Sequence, residues 1–129
     1  MNAISIKGEV LSGTGEGAEF LKLSWVKKQI AEKLGFIPYP GTLNIKLSEE
    51  SSKLKILLKK ARPIKILPKT GFCLGKCFKG YLMDNVECAI VLPEVTDYPA
   101  GIIEIIASEN LREKLQLKDC DAVEVKILL

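Results

Sequence analysis

Apolar residues recur at every second position over much of this chain, and at helical spacing over one long stretch only. Ile4, Ile6, Gly8 and Val10 alternate with Ser5, Lys7 and Glu9, which predicts a half-buried strand. The run Ser12-Gly13-Thr14-Gly15-Glu16-Gly17 is too rich in glycine to be anything but a loop. From Ala18 to Leu34 the spacing becomes helical, with Leu23, Val26, Ile30 and Leu34 on one stripe and Gly35 as the C-terminal cap. After the stiff connection Pro38–Gly41, Leu43, Ile45 and Leu47 alternate with Thr42, Asn44 and Lys46 as a second strand.

Polar, Lys-rich Ser48–Lys60 reads as a short helix or an excursion. Further strands are predicted at Pro63–Leu67, around Cys73–Met83 and at Val86–Leu92, the last two joined by a turn at Asp84-Asn85. Pro93–Pro99 is a loop, Ile102–Ala107 a strand and Leu111–Leu115 a short helix, and Val123, Val125 and Ile127 mark a final strand. No repeat of solenoid length occurs. Alternating strands expose one wet face, so the six or seven of them suit a small, closed, mostly antiparallel barrel better than a parallel sheet buried on both sides.

With 129 residues, 47% hydrophobic and 27% charged, the chain has the size and composition of one globular domain. A net charge of +3 is too mild to argue for DNA, RNA or an anionic membrane as partner. Histidine is absent, which excludes Ser-His-Asp and Cys-His catalysis, histidine zinc sites and histidine pH sensing. The N-terminal MNAISIKGEV is not a signal peptide, and no apolar run is long enough to span a bilayer. A cytoplasmic protein is expected. Cys73, Cys77, Cys88 and Cys120 lack paired C-x2-C knuckles and read as thiols in a reducing compartment; a Cys73–Cys77 disulfide is conceivable if the segment between them turns.

Four features bear on chemistry, each with a plain alternative. Gly13, Gly15 and Gly17 leave no Cβ to block an anion approaching the backbone. No Gly-Lys-Ser/Thr follows, so this is not a P-loop. The pattern Gly13-x-Gly15-x-x-Ala18 loosely matches a dinucleotide fingerprint, with Glu49 and Glu50 beyond the next strand, but the alternating strands argue against that fold. A loop that binds nothing is the alternative. Thr42 and Asn44 lie two apart, so a hydroxyl and an amide oxygen share one strand face. They would hold Mg²⁺ only with phosphate and water oxygens filling the other positions; alternatively they are simply solvent-facing. Glu104 interrupts Ile102–Ile106, either as a cavity-facing acid or base or as an outward residue of an alternating strand. Arg112 could clamp a phosphate or contact a base, or lie exposed on its helix.

In order, these segments run strand, SGTGEGA, helix, GTLN, PIKI, VLP, a Thr-containing loop, IIEIIA and a Leu-Arg helix before a last strand. That order resembles the archaeal CTP-dependent riboflavin kinases over essentially the whole chain. The resemblance implies a mainly β fold with α: a six-stranded cradle-loop barrel with one long helix after the first strand and a short C-terminal helix. It implies a single catalytic barrel domain over residues 1–129. It also implies transfer of the γ-phosphoryl group of CTP to the 5′-hydroxyl of riboflavin, giving FMN and CDP.

By the resemblance, Thr14, Gly15, Glu16, Gly17, Ala18 and Glu19 form the nucleotide-phosphate loop. Glu109, Asn110, Leu111 and Arg112 form the second nucleotide-binding segment. Thr42 and Asn44 are the Mg²⁺ ligands, Thr96 and Glu104 contact the flavin, and Glu104 is also the candidate general base. Ala18 departs from a basic residue in some relatives, which would remove one phosphate contact. Ser48–Lys60 and Lys69–Gly80 match nothing in the family pattern closely. Some relatives carry a separate N-terminal DNA-binding domain, whereas this chain starts directly with the barrel, so the stand-alone form is expected, working as a monomer. Two other classes remain: a regulatory barrel that binds nucleotide or flavin without turnover, and a DNA-binding barrel, for which the basic face is lacking.

Overall fold

A computed structural model of the chain describes residues 3–13, 15–69, 75–83, 85–93 and 101–129. Thr14, Cys73, Asp84 and Thr96 lie outside them, as do residues 94–99 of the expected Pro93–Pro99 loop. Any Cys73–Cys77 pairing and the first half of the expected Asp84-Asn85 turn therefore fall outside the described residues.

The elements follow the hydrophobic pattern closely. In chain order they are β1 (Ala3–Leu11), α1 (Glu16–Leu21), α2 (Ser24–Leu34), β2 (Leu43–Leu47), α3 (Glu49–Lys60), β3 (Ile64–Ile66), β4 (Gly75–Leu82), β5 (Val86–Pro93), β6 (Ile102–Ile106), α4 (Leu111–Leu115) and β7 (Ala122–Leu128). Every strand pairing is antiparallel. Neighbours run β4-β5-β6-β2-β1-β7, and β7 returns to β4, closing a six-stranded barrel. The edge of β4 is divided to allow this. Its first half, from Gly75 to Cys77, pairs with β3, and its second half, from Gly80 to Leu82, pairs with β7.

Two apolar cores result. Inside the barrel, Ile6, Val10, Ile45, Phe78, Ile90, Ile103, Ile105, Val125 and Ile127 pack together. Outside it, Leu21, Val26, Ile30 and Leu34 cover Ile66, Cys77, Ala89 and Ile106. Strands β4 to β6 are thus buried on both faces where α2 lies over them, and each such side chain stabilises the fold by roughly 1.5–3 kcal/mol.

The single helix expected over Ala18–Leu34 is two helices. The chain breaks at Leu23, which is extended at φ −67° and ψ 129° and serves as the N-cap of α2. Packing supplies the reason. The buried residues are Leu21 and Val26, not Leu23. Five positions apart on one helix, their directions would differ by about 140°. The break turns both onto the barrel, and it brings Phe20 edge-on to Trp25 with ring centroids 5.9 Å apart. Gly35 caps α2 as expected, at φ 86°. The open reading of Ser48–Lys60 is settled as a helix. Ser48 Oγ accepts from the Ser51 N–H at 3.2 Å, and buried Ser51 in turn accepts from the Lys7 N–H at 2.8 Å. Such a cap is worth about 1 kcal/mol.

Candidate functional site

Strand β2 begins where the chain leaves the rigid Pro38–Gly41 connection. Leu43 and Ile45 point into the barrel, so Thr42 and Asn44 are left on its outer wall, both half-buried. Antiparallel pairing with β6 sets Asn44 opposite Glu104, and pairing with β1 sets it opposite Leu11. Glu104 shares this outer wall, because its neighbours Ile103 and Ile105 fill the interior. Of the two expectations for Glu104, the register bears out the outward residue of an alternating strand, and its side chain is half-buried. The Thr42 hydroxyl donates to Glu104 Oε1 at 2.9 Å, a contact between residues 62 positions apart.

The covering segment is the glycine loop with α1. A Cβ on Gly17 would lie 2.7 Å from Glu104 Oε1 and 2.8 Å from Thr42 Oγ1, so only glycine allows this approach. A Cβ on Gly13 would run into the side-chain amide of Asn44. Gly15 caps α1 in the left-handed region at φ 86°, and no side chain caps that helix end. Gly17 and Ala18 are half-buried. Glu19 is exposed and pairs with Lys22 at 3.2 Å. Of Glu16 only the backbone is described.

Residues Glu109–Arg112 lie beside this cluster. They line a cleft of about 180 Å³ together with Tyr39, Gly41, Thr42, Leu43, Ile105 and Ala107. Asn110 caps α4 by accepting from the Glu113 N–H at 3.3 Å, and its amide donates to the Tyr39 hydroxyl at 3.2 Å. Leu111 is buried in the barrel core and anchors the segment. Glu109 pairs with Lys114 at 2.7 Å. Arg112 donates to the Leu11 carbonyl at 3.1 Å and to Asp119 at 2.6 Å. The Arg112 hydrogen bond, then that from Ser12, holds the Asp119 carboxyl below its ordinary range.

The structure therefore brings together Thr42, Asn44, Glu104, the glycine loop and Arg112 from segments scattered along the chain. Thr96 lies outside the described residues. Sequence reasoning missed Tyr39, Ser12 and Asp119. No local signal marks them: Asp119 sits in an ordinary polar turn, and its link to Ser12 spans 107 positions. Among the described residues, the thiols of Cys77, Cys88 and Cys120 take no part. Burial pushes Cys77 and Cys88 up to about 12, and Cys120 is exposed on a turn. Thr42 and Asn44 supply two hard oxygens, and no group of three His, Cys, Asp or Glu able to hold a metal occurs among the described residues. A divalent cation here would complete its shell from a ligand's oxygens and water, a donor set that suits Mg²⁺.

Comparison with known proteins bears on this arrangement. The family model of CTP-dependent riboflavin kinases, described as a domain of unknown function (DUF120), matches residues 10–127. A riboflavin kinase of Methanosarcina barkeri is 41% identical over 98% of this chain and 58% of its own length. One from Archaeoglobus fulgidus is 45% identical over 98% of this chain and 55% of its own length. One from Ignicoccus hospitalis is 44% identical over 96% of this chain and 71% of its own length. The chain thus spans little more than half the length of the first two relatives. No helix among the described residues is long and apolar enough to cross a membrane.

Proposed function

The chain belongs to the CTP-dependent riboflavin kinase family, and on that premise we propose that it transfers the γ-phosphoryl group of CTP to the 5′-hydroxyl of riboflavin. The products are FMN and CDP. The observation that carries this reading is the Thr42–Glu104 hydrogen bond beneath Gly17, with Asn44 opposite Glu104. It joins the proposed metal, flavin and phosphate positions at one point.

Phosphoryl transfer needs positioning and charge neutralisation more than covalent catalysis, which a chain without histidine can supply. Thr42 and Asn44 would hold Mg²⁺, which when bound neutralises phosphate oxygens. The Thr42 hydroxyl spends its hydrogen on Glu104 and keeps its lone pairs for the ion. Gly13, Gly15 and Gly17 let the segment Thr14–Glu19, whose last four residues open α1, approach the triphosphate without a side chain in the way at those positions. Arg112, at the edge of the cleft, contributes positive charge from the other side. A carboxylate accepts several hydrogen bonds, so Glu104 can take that of Thr42 and a ribityl hydroxyl together. We assign it first to flavin contact, with Thr96, and second to accepting the hydroxyl proton. On this reading the barrel over residues 1–129 is of the cradle-loop type and works as a monomer in the cytoplasm.

The test is to combine the protein with riboflavin, Mg²⁺ and each of the four nucleoside triphosphates in turn. FMN is expected with CTP and not appreciably with ATP. Equal or faster turnover with ATP overturns the donor assignment. Binding of CTP without release of CDP would mark a sensor instead of a kinase.

A further inference from the structure

The turn between α4 and β7 carries a carboxylate that the scheme above does not use. Two backbone bonds pin this turn to the end of β1: the Val10 N–H donates to the Asp121 carbonyl at 2.9 Å, and the Cys120 N–H donates to the Val10 carbonyl at 2.7 Å. The Lys118 N–H donates to Asp121 Oδ2 at 2.7 Å, and Cys120 takes a φ of 74°. Asp119 is thus held in place by the backbone around it.

Its carboxylate meets Arg112, the last residue of one proposed nucleotide segment, and Ser12, two residues before the other. Oδ1 accepts from Arg112 Nη2 at 2.6 Å, and the Ser12 hydroxyl donates to Oδ2 at 2.9 Å and Oδ1 at 3.1 Å. Ser12 is the residue at which β1 gives way to the glycine loop. Arg112 Nη2 also donates to the Leu11 carbonyl at 3.1 Å. That nitrogen has two hydrogens, one spent on Asp119 and the other on the Leu11 carbonyl just before the glycine loop. Among the described residues, Nε and Nη1 make no hydrogen bond.

We propose that Asp119 is a positioning residue for nucleotide binding: it fixes one edge of the Arg112 guanidinium, leaves Nε and Nη1 for the anionic ligand, and ties that guanidinium to the glycine loop. The assignment rests on the proposed kinase reading. A guanidinium already held in one orientation loses less side-chain freedom when the ligand arrives. With Nη2 held, the Nε and Nη1 hydrogens point in fixed directions in the guanidinium plane, and each can donate singly to an anionic oxygen. The opposite role, a carboxylate that merely neutralises Arg112, makes the opposite prediction, because its removal would tighten nucleotide binding.

The experiment compares Asp119→Asn, Asp119→Glu, Arg112→Ala and the double variant Asp119→Asn/Arg112→Ala. Asp119→Asn should raise KM for CTP about tenfold, the scale of one charge-assisted hydrogen bond. KM for riboflavin should stay within about twofold, and Asp119→Glu should recover most of the loss. In the Arg112→Ala background, Asp119→Asn should add less than about twofold, because the two act as one unit. An unchanged or lowered KM for CTP, an equal rise in both KM values, or additive effects in the double variant would overturn the proposal. If the wild-type protein makes no FMN, the kinase reading fails, and CDP binding by calorimetry then decides this one. A tenfold weaker Kd in Asp119→Asn supports it, whereas an equal Kd, or no binding by wild type, overturns it.

Discussion

Glu104 and Ile106 lie two positions apart on β6, share its outer face, and are both covered by the chain that follows β1. Over Ile106 lies α2, and the contact is an apolar seam in which Val26 and Ile30 of α2, with Leu21 from the end of α1, meet Cys77, Ala89 and Ile106. Over Glu104 lies the glycine loop with α1, and the contact is Gly17 against a carboxylate and a hydroxyl. The strand and its outer face are common to the two. What differs is the covering segment. Large apolar side chains on α2 leave no polar group at the contact, whereas Gly17 in the first turn of α1 brings backbone to polar atoms and leaves room beside the cleft at Tyr39 and Arg112. One side of the wall therefore contributes stability, and the other is free to contribute chemistry.

Substitution at Glu104 should produce the largest effect. Glu104→Gln keeps the shape and the hydrogen bond from Thr42 but removes charge and proton acceptance, so FMN formation should fall by roughly 10²–10⁴-fold. Flavin fluorescence beside single-turnover rates divides that loss. A drop in affinity identifies the flavin contact, and a drop in rate alone identifies the base. If neither moved, Glu104 would be a covered wall residue like its neighbour, and the contrast would collapse.

The complementary change is Ile106→Ala. Deleting a buried aliphatic side chain from the apolar seam should cost about 2–5 kcal/mol in urea unfolding. Both KM values should be unchanged wherever the protein remains folded. A selective loss of nucleotide or flavin affinity would show that the two halves of the wall are coupled after all.

The smallest effect concerns the thiols. Burial raises Cys77 and Cys88 to about 12 against an ordinary 9.0. The folded state then holds protons that the unfolded chain releases, so stability from these groups is full below pH 9.0 and is lost progressively as pH rises towards about 12. At neutral pH, iodoacetamide followed by peptide mass mapping should label exposed Cys120 well before Cys77 or Cys88. Equal labelling would mean that the seam covering Cys77 opens readily.

Much of the fold was legible because strand alternation and turn residues are local properties. Val10, Ile45, Ile103 and Val125 could be placed in the core from period two alone, and α4 was located to the residue by Asn110 and the leucines after it. The break at Leu23 was not legible. The stripe Leu23, Val26, Ile30, Leu34 satisfies one helix perfectly well, and only the demand that Leu21 and Val26 reach the same barrel wall splits it. The candidate site was legible in part. GTLN and the glycine loop could be singled out by residue type, while Tyr39, Ser12 and Asp119 carried no signal because their roles lie in partners far along the chain.

By itself, then, the amino-acid order determined which faces are apolar, where strands and turns fall, and which chemistries are excluded. It also assembled, in order, the motifs by which the family is recognised. Tertiary structure alone decided that Thr42 meets Glu104 across 62 positions and that Ser12 meets Asp119 across 107. The physical reason is closure. Local preferences act over a few residues, whereas these contacts exist only once β2 pairs with β6 and β1 pairs with β7, setting the ends of distant strands side by side.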